Sequence, residues 1–298
     1  MDFVVALGGL IVGFIVGLTG VGGGALMTPM LVLIFGVPPL AAVSSDVVAS
    51  VVMKPIGGGV HLRKGTVNLK LVGWLMTGSL PCAFLGVWLL KRVAVGEGLQ
   101  EWIKTGLGVA LLLAATGILL RPVLTRRRQA NQAVDTRVKV LRTIAIGAFG
   151  GLVVGMTSVG SGSLMIVLLL LLYPHLKLSD LVGTDLVQAV PLVASAALGH
   201  LWLGDFKLAL TGSILLGAVP GVFIGAKLSS RAPDHVLRPA LIVVLVASAL
   251  KLLGAGNVTV GVTALAVTAL VTSLGVASAR AAKASKADPA LVPVVRPQ

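Results

Sequence analysis

The stretch Gly17-Leu18-Thr19-Gly20-Val21-Gly22-Gly23-Gly24 returns in the middle of the chain as Gly155-Met156-Thr157-Ser158-Val159-Gly160-Ser161-Gly162. An acid inside an apolar run follows each copy, Asp46 and then Asp185. From there Ser45–Arg92 aligns with Thr184–Arg231 without a gap and with about fifteen identities, among them Asp46/Asp185, His61/His200, Gly65/Gly204, Gly78/Gly217, Pro81/Pro220 and Gly86/Gly225. Duplicated halves with glycine breaks inside apolar segments are the sequence mark of a secondary transporter.

Composition points the same way. Of 298 residues, 56% are hydrophobic and 11% charged, and the mean hydropathy is +1.04. Apolar stretches of about 20 residues recur along the chain, which predicts an all-α, polytopic protein of the cell membrane with lipid as its surroundings. The start, Met1-Asp2-Phe3, lacks a basic segment and a small-residue cleavage site, so the first apolar stretch reads as a retained span. The net charge of +14 sits in short loops between apolar spans, where the positive-inside rule accounts for it without a nucleic-acid partner. The lone Cys82 reads as a packed thiol.

Residues 1–120 form the first repeat, with apolar segments near 3–20, 24–36, 40–60, 69–90 and 103–120. Residues 121–142 are a basic connector, expected in the cytoplasm. The second repeat is 143–254, an additional transmembrane helix is expected at 255–279, and the tail 280–298 has a disordered composition. Segments 24–36 and 163–173, directly after the glycine turns, are too short to span the bilayer comfortably, so each is a half-helix that re-enters or continues a broken span. The loop with Arg63, Lys64 and Lys70 is basic, while its counterpart with His200, Asp205 and Lys207 is nearly neutral. Equivalent loops on opposite sides are the arrangement of inverted repeats.

A helix that restarts after a glycine break leaves its first N–H groups unpaired, and these donors with the positive end of the helix dipole attract anions. The residues expected to hold a small anion are therefore Thr19, Gly22, Gly23 and Gly24 in the first copy, and Thr157, Ser158, Gly160, Ser161 and Gly162 in the second. Ser45, next to Asp46, is expected in the same anion site, and Gln188, one turn after Asp185, either lines it or bonds across helices. The competing reading of the glycines is close helix packing. Asp46 and Asp185 read either as first-turn acids favoured by the helix dipole or as groups that order the site or couple proton movement to transport. Lys54, followed by Pro55 and a break at Gly57-Gly58-Gly59, stands mid-segment, where a cation pairs with a bound anion or with Asp46, or else snorkels to the interface. His61 and His200 fall in the loops that end these segments and read as structural bonds to helix ends, with a proton relay as the alternative. Trp74, Trp88, Trp102 and Trp202 read as interface anchors.

Gly20-Val21-Gly22-Gly23-Gly24-Ala25 also fits a loose dinucleotide fingerprint, but its flanks are apolar helix and not strand-turn-helix. No Walker pattern, metal-ligand spacing or nucleophile elbow occurs, so neither an enzyme nor a cofactor or metal site is expected.

These residues resemble the TauE/SafE family of sulfite and organosulfonate exporters. The resemblance is carried by Gly17 to Gly24 with Pro29, the small-residue segment Ser44 to Ser50, and His61-Leu62-Arg63-Lys64-Gly65-Thr66-Val67. Gly78-Ser79-Leu80-Pro81 to Gly86 and its echo Gly217-Ala218-Val219-Pro220-Gly221 to Gly225 complete it, so that it covers residues 3 to about 253. Lys54-Pro55, Ser161 in place of a glycine, and the final apolar stretch depart from the family pattern. The resemblance implies a secondary carrier of sulfite or a related sulfur oxyanion or organosulfonate. The residues alone leave two rivals open, an uncoupled anion channel and a membrane subunit that recruits a partner through the connector.

Overall fold

The computed structural model describes residues 2–20, 22–93, 98–130, 138–203, 206–228, 234–270 and 273. Eleven helices follow in order: α1 Phe3–Thr19, α2 Gly24–Leu33, α3 Pro39–Arg63, α4 Leu69–Val93, α5 Gly98–Ala130, α6 Val140–Thr157, α7 Leu164–Leu172, α8 Leu178–Leu203, α9 Leu208–Leu228, α10 Asp234–Leu252 and α11 Asn257–Leu270. Six of them (α3, α4, α5, α6, α8 and α9) are long and apolar enough to cross a membrane. The all-α polytopic reading holds. α5 runs on through the first part of the basic connector as continuous helix, while 131–137, most of 271–279 and the tail 280–298 lie outside the described residues.

The two short helices are hairpin arms. α2 has 10 residues and α7 has 9, which is about 15 and 13.5 Å at the helical rise. Gly8 of α1 faces Met30 and Phe35, so α2 folds back along α1 and returns to the face where α1 began. Likewise Tyr173, just beyond α7, accepts a hydrogen bond from the Lys139 amide at 2.9 Å, beside the start of α6. Both post-glycine segments therefore re-enter, and neither completes a crossing with its predecessor.

Small residues set the closest helix contacts. α1 and α9 run parallel, with Gly9, Gly13 and Gly17 against Ile214, Ala218 and Val222. A methyl group at Gly13 or Gly17 would lie 2.5 or 2.4 Å from a carbonyl oxygen of α9, so no larger residue fits there. α4 and α6 pair in the same way, with Leu75, Ser79 and Ala83 against Gly147, Gly151 and Gly155. Under the pairing of α1–α5 with α6–α10, the α1/α9 contact maps onto the α6/α4 contact.

Helix directions follow from residue pairs. α2 runs against α1 and α3, the latter because Gly23 lies by Met53 and Ser50 while Thr28 lies by Asp46. α3 runs against α8, as Ser44 meets His200 while His61 and Thr66 meet Gly183. α8 runs with α4 and α4 with α6. α6 thus points opposite to α1. The face where α3 ends and α4, α6 and α8 begin carries Arg63, Lys64, Lys70, Lys139, Arg142 and Lys177. The other face, where α1, α3, α5 and α9 begin, carries Asp2, Arg92, Glu101, Lys104 and Lys207. The four tryptophans are 40% to 79% exposed on the protein, as lipid-facing or interfacial rings require.

Candidate functional site

The two hairpins meet at their tips. α1 is capped by Gly20 (φ 67°) and α6 by Ser158 (φ 61°), equivalent positions in the two copies and both left-handed. Glycine adopts this conformation freely, whereas serine does so against a steric cost of about 1–2 kcal/mol. The Ser158 hydroxyl offsets that cost by donating to Asp46 Oδ2 at 2.7 Å. Beyond the caps the tips interlock. A methyl group at Gly24 would lie 1.9 Å from the Ser158 carbonyl oxygen, and one at Gly22 would lie 2.5 Å from that of Ser161.

The first-turn reading of the two acids is corrected. α3 starts at Pro39 and α8 at Leu178, so Asp46 and Asp185 stand in the third turn, fully buried, where the helix already pairs its own amides. Pro39 lies at the first helical position, where a missing N–H costs nothing. The acids face the opposing hairpins instead. Asp46 Oδ2 also accepts the Thr28 hydroxyl at 2.8 Å. Asp185 Oδ2 accepts the Gly162 amide at 2.6 Å, and its Oδ1 accepts Gln188 Nε2 at 3.0 Å. Gln188 in turn accepts the Ser79 hydroxyl at 3.2 Å. A carboxylate of the protein thus holds one of the amide donors of the second turn.

Lys54 reaches across from α3 to donate to the Ser161 hydroxyl, and both Asp46 and Asp185 attract its charge. It does not run to the interface. The expected break at Gly57-Gly58-Gly59 is absent: α3 is continuous, and Gly58 lets it approach the Leu186 carbonyl of α8. Lys54 borders a cavity of about 250 Å³ with Thr19, Gly22, Gly23, Ser161, Gly162 and Asp185 at its inner end, and with His61 and Lys64 toward the basic face. Of the other residues singled out in the sequence, Gly24 and Ser158 pack in the interlocked tips, and Gly160 lies against Val153 and Val154. Thr157 donates to the Val153 carbonyl at 2.6 Å, Gln188 bridges Asp185 and Ser79, and the Ser45 hydroxyl is buried without a partner. None of these six lines the cavity.

Sequence reading missed Ser50 and Ser44. Ser50 lines the cavity midway between Asp46 and Lys54, and the spacing i, i+4, i+8 along one helix face is the signal that marks it. The histidines stand in the last turns of α3 and α8 and not in loops, because both helices run past them to Arg63 and Leu203. His200 is fully buried. Its Nε2 donates to the Gly155 carbonyl at 2.8 Å and its Nδ1 lies 2.9 Å from the Ser44 hydroxyl, so it joins α8 to α6 and α3 on the side away from the cavity mouth. His61, which aligns with it in sequence, lies at the mouth, and among the described residues its side chain hydrogen-bonds to the neighbouring Thr66 hydroxyl, at 2.9 Å.

Comparison with known proteins agrees with this architecture. Residues 5–252 match the family described as Sulfite exporter TauE/SafE. The "Probable membrane transporter protein YjnA" of Bacillus subtilis (strain 168) is 39% identical over 256 residues, covering 85% of this chain and 100% of the relative. The "Probable membrane transporter protein YdhB" of the same organism is 26% identical over 233 residues, 78% of this chain and 91% of the relative. No solved structure matches the chain significantly. The family and these relatives are membrane transporters and not enzymes. On the match over nearly its whole length, the chain belongs to the TauE/SafE family of membrane transporters.

Proposed function

We propose that this protein is a secondary carrier of small sulfur oxyanions or organosulfonates, that its halves are inverted repeats, and that it works by alternating access with its basic face in the cytoplasm. The observation that carries this reading is a cavity whose lining runs from His61 and Lys64 at the basic face to both glycine turns and Lys54. In this reading Lys54, Thr19, the amides of Gly22 and Gly23, and the Ser161 hydroxyl receive the anion. Asp185 holds the second turn in shape through Gly162. The opposite directions of α1 and α6 and the reciprocal α1/α9 and α6/α4 contacts support the inverted arrangement. The cavity mouth at the face richer in Lys and Arg makes this the inward-open state. The His200 junction opposes a continuous pore, which favours a carrier over an uncoupled channel.

A thermal-stability screen of the purified protein tests the substrate class. A ligand that binds only the native state raises apparent stability in proportion to the logarithm of its concentration over Kd. Sulfite, sulfate, thiosulfate, taurine, sulfoacetate and chloride are the panel. Stabilisation by one or more sulfur anions and not by chloride is expected, and equal indifference to all six would remove the reading.

A further inference from the structure

The two repeat-related acids are not equivalent. Both oxygens of Asp185 accept hydrogen bonds, from Gly162 and Gln188. Asp46 takes two hydroxyl donors on Oδ2, while its Oδ1 is buried with no hydrogen-bond partner among the described residues. A buried carboxylate oxygen left unpaired is costly unless something else occupies it.

The surroundings of that oxygen suggest what does. Gly23 stands in front of it with right-handed helical backbone (φ −52°, ψ −41°), a conformation any residue adopts. A methyl group there would meet Met53 Cε at 3.6 Å, and Asp46 Oδ1 and Ser50 Oγ each at 3.8 Å, ordinary contact distances. Neither backbone nor packing demands glycine at this position, unlike Gly22 and Gly24 on either side. What the missing side chain leaves is a small hollow between the cavity wall, formed by Gly23, Ser50 and Met53, and the orphan oxygen.

We propose that Asp46 Oδ1 is the proton-binding site that couples transport, reached from the cavity through the hollow at Gly23, with Ser50 Oγ accepting the hydrogen bond of the protonated form. A hard metal cation collects a shell of about six oxygens. The three atoms nearest the hollow are one carboxylate oxygen, one hydroxyl and a methionine methyl group, and among the described residues no group of three or more His, Cys, Asp or Glu side chains could hold a metal ion, so the occupant in this proposal is a proton. Among the described residues the charged and titratable groups around Asp46 are Lys54 on its own helix, which Asp185 of α8 also attracts, and His200 on α8 through Ser44. α2 and the tip after α6 present the hydroxyls of Thr28 and Ser158. With Asp185 and Lys54 offsetting each other, ionised Asp46 leaves one uncompensated negative charge beside the cavity. Protonation at Oδ1 turns the carboxylate into a neutral acid and removes that charge, so the anion and the proton enter together and leave together.

Two measurements on the full chain test this, and the transport arm rests on the function proposed above while the spectroscopic arm does not. First, infrared difference spectra on acidification of the substrate-free protein should show a carboxylic-acid carbonyl band that is lost in Asp46→Asn and kept in Asp185→Asn. The same band in Asp46→Asn as in the wild type would overturn the proposal. Second, in liposomes an acid-outside gradient should accelerate uptake of sulfoacetate. Asp46→Asn should lose the dependence on the gradient but keep equilibrium exchange. Gly23→Ala should slow gradient-driven uptake with its thermal midpoint unchanged, because its methyl group fits and covers Oδ1. Uptake driven by a sodium gradient and not by pH, or pH-driven uptake intact in Asp46→Asn, would overturn it. An infrared band assigned to Asp46 in a protein that moves no sulfoacetate would count against the substrate reading and uphold the proton site.

Discussion

His200 Nδ1 lies 2.9 Å from the Ser44 hydroxyl while its Nε2 holds the Gly155 carbonyl, so one buried ring links three helices on the side opposite the cavity mouth. Gly155 is near the end of α6, where carbonyls lack intrahelical partners. His200→Ala leaves that carbonyl and the Ser44 hydroxyl buried and unpaired, at a cost of about 1–3 kcal/mol each way round. The variant is expected to be less stable and to open its outer side. In a Cys82→Ser background, a cysteine replacing Ala197 should resist an impermeant thiol reagent from outside when His200 is present, and react when it is absent. Unchanged protection would show that other contacts close this side.

Among the described residues Lys54 is the one side-chain cation at the inner end of the cavity, placed by its contact with Ser161. A hydrogen bond to a charged partner contributes about 1.5–3 kcal/mol, or roughly 10- to 150-fold in affinity. Lys54→Gln is therefore expected to raise the Kd for the stabilising anion by that factor in thermal-shift titrations. Full affinity in the variant would remove Lys54 from the anion site.

Ser158 combines a left-handed backbone with a hydroxyl on Asp46. Ser158→Ala loses the hydrogen bond and keeps the strain, whereas Ser158→Gly loses the bond and relieves about 1 kcal/mol of strain. The thermal midpoints should fall in the order wild type, Gly, Ala. An Ala variant as stable as the Gly variant would contradict the conformational account.

The proposed sidedness is open to labelling. Thr66 joins α3 to α4 at the basic face, and Lys207 precedes α9 beside the start of α1, where the Asp2 amide donates to Ser213 at 2.8 Å. Without Cys82, a cysteine at Lys207 should react with an impermeant reagent in intact cells and one at Thr66 only after permeabilisation. Equal reactivity of both from outside would end the inverted arrangement.

Much of this protein is legible in the chain alone. Apolar length and the doubled glycine turn establish an all-helical membrane protein and bring Thr19, Gly22, Gly23, Lys54, Ser161, Gly162 and Asp185 under suspicion, because helix breaks and charges inside apolar sequence are costly wherever they serve nothing. The half-helix lengths also follow from counting residues against the helical rise.

Other features depend on contacts between segments far apart in sequence. Whether the segments after the turns cross or fold back is decided by packing, through Gly8 against Met30 and Tyr173 against Lys139. The third-turn depth of the acids depends on where α3 and α8 begin, and capping residues mark such boundaries only to within a turn. The partners of the acids were hidden as well. Thr28 and Ser158 are 18 and 112 residues from Asp46, and a hydroxyl in an apolar segment looks the same in sequence whether it binds substrate or satisfies a carboxylate. Local composition thus determined which segments are helical, apolar and broken. Only the tertiary structure decided which hydrogen bonds the breaks complete among themselves and which groups they leave for a ligand, because a buried polar group takes whichever partner the packed helices bring within reach.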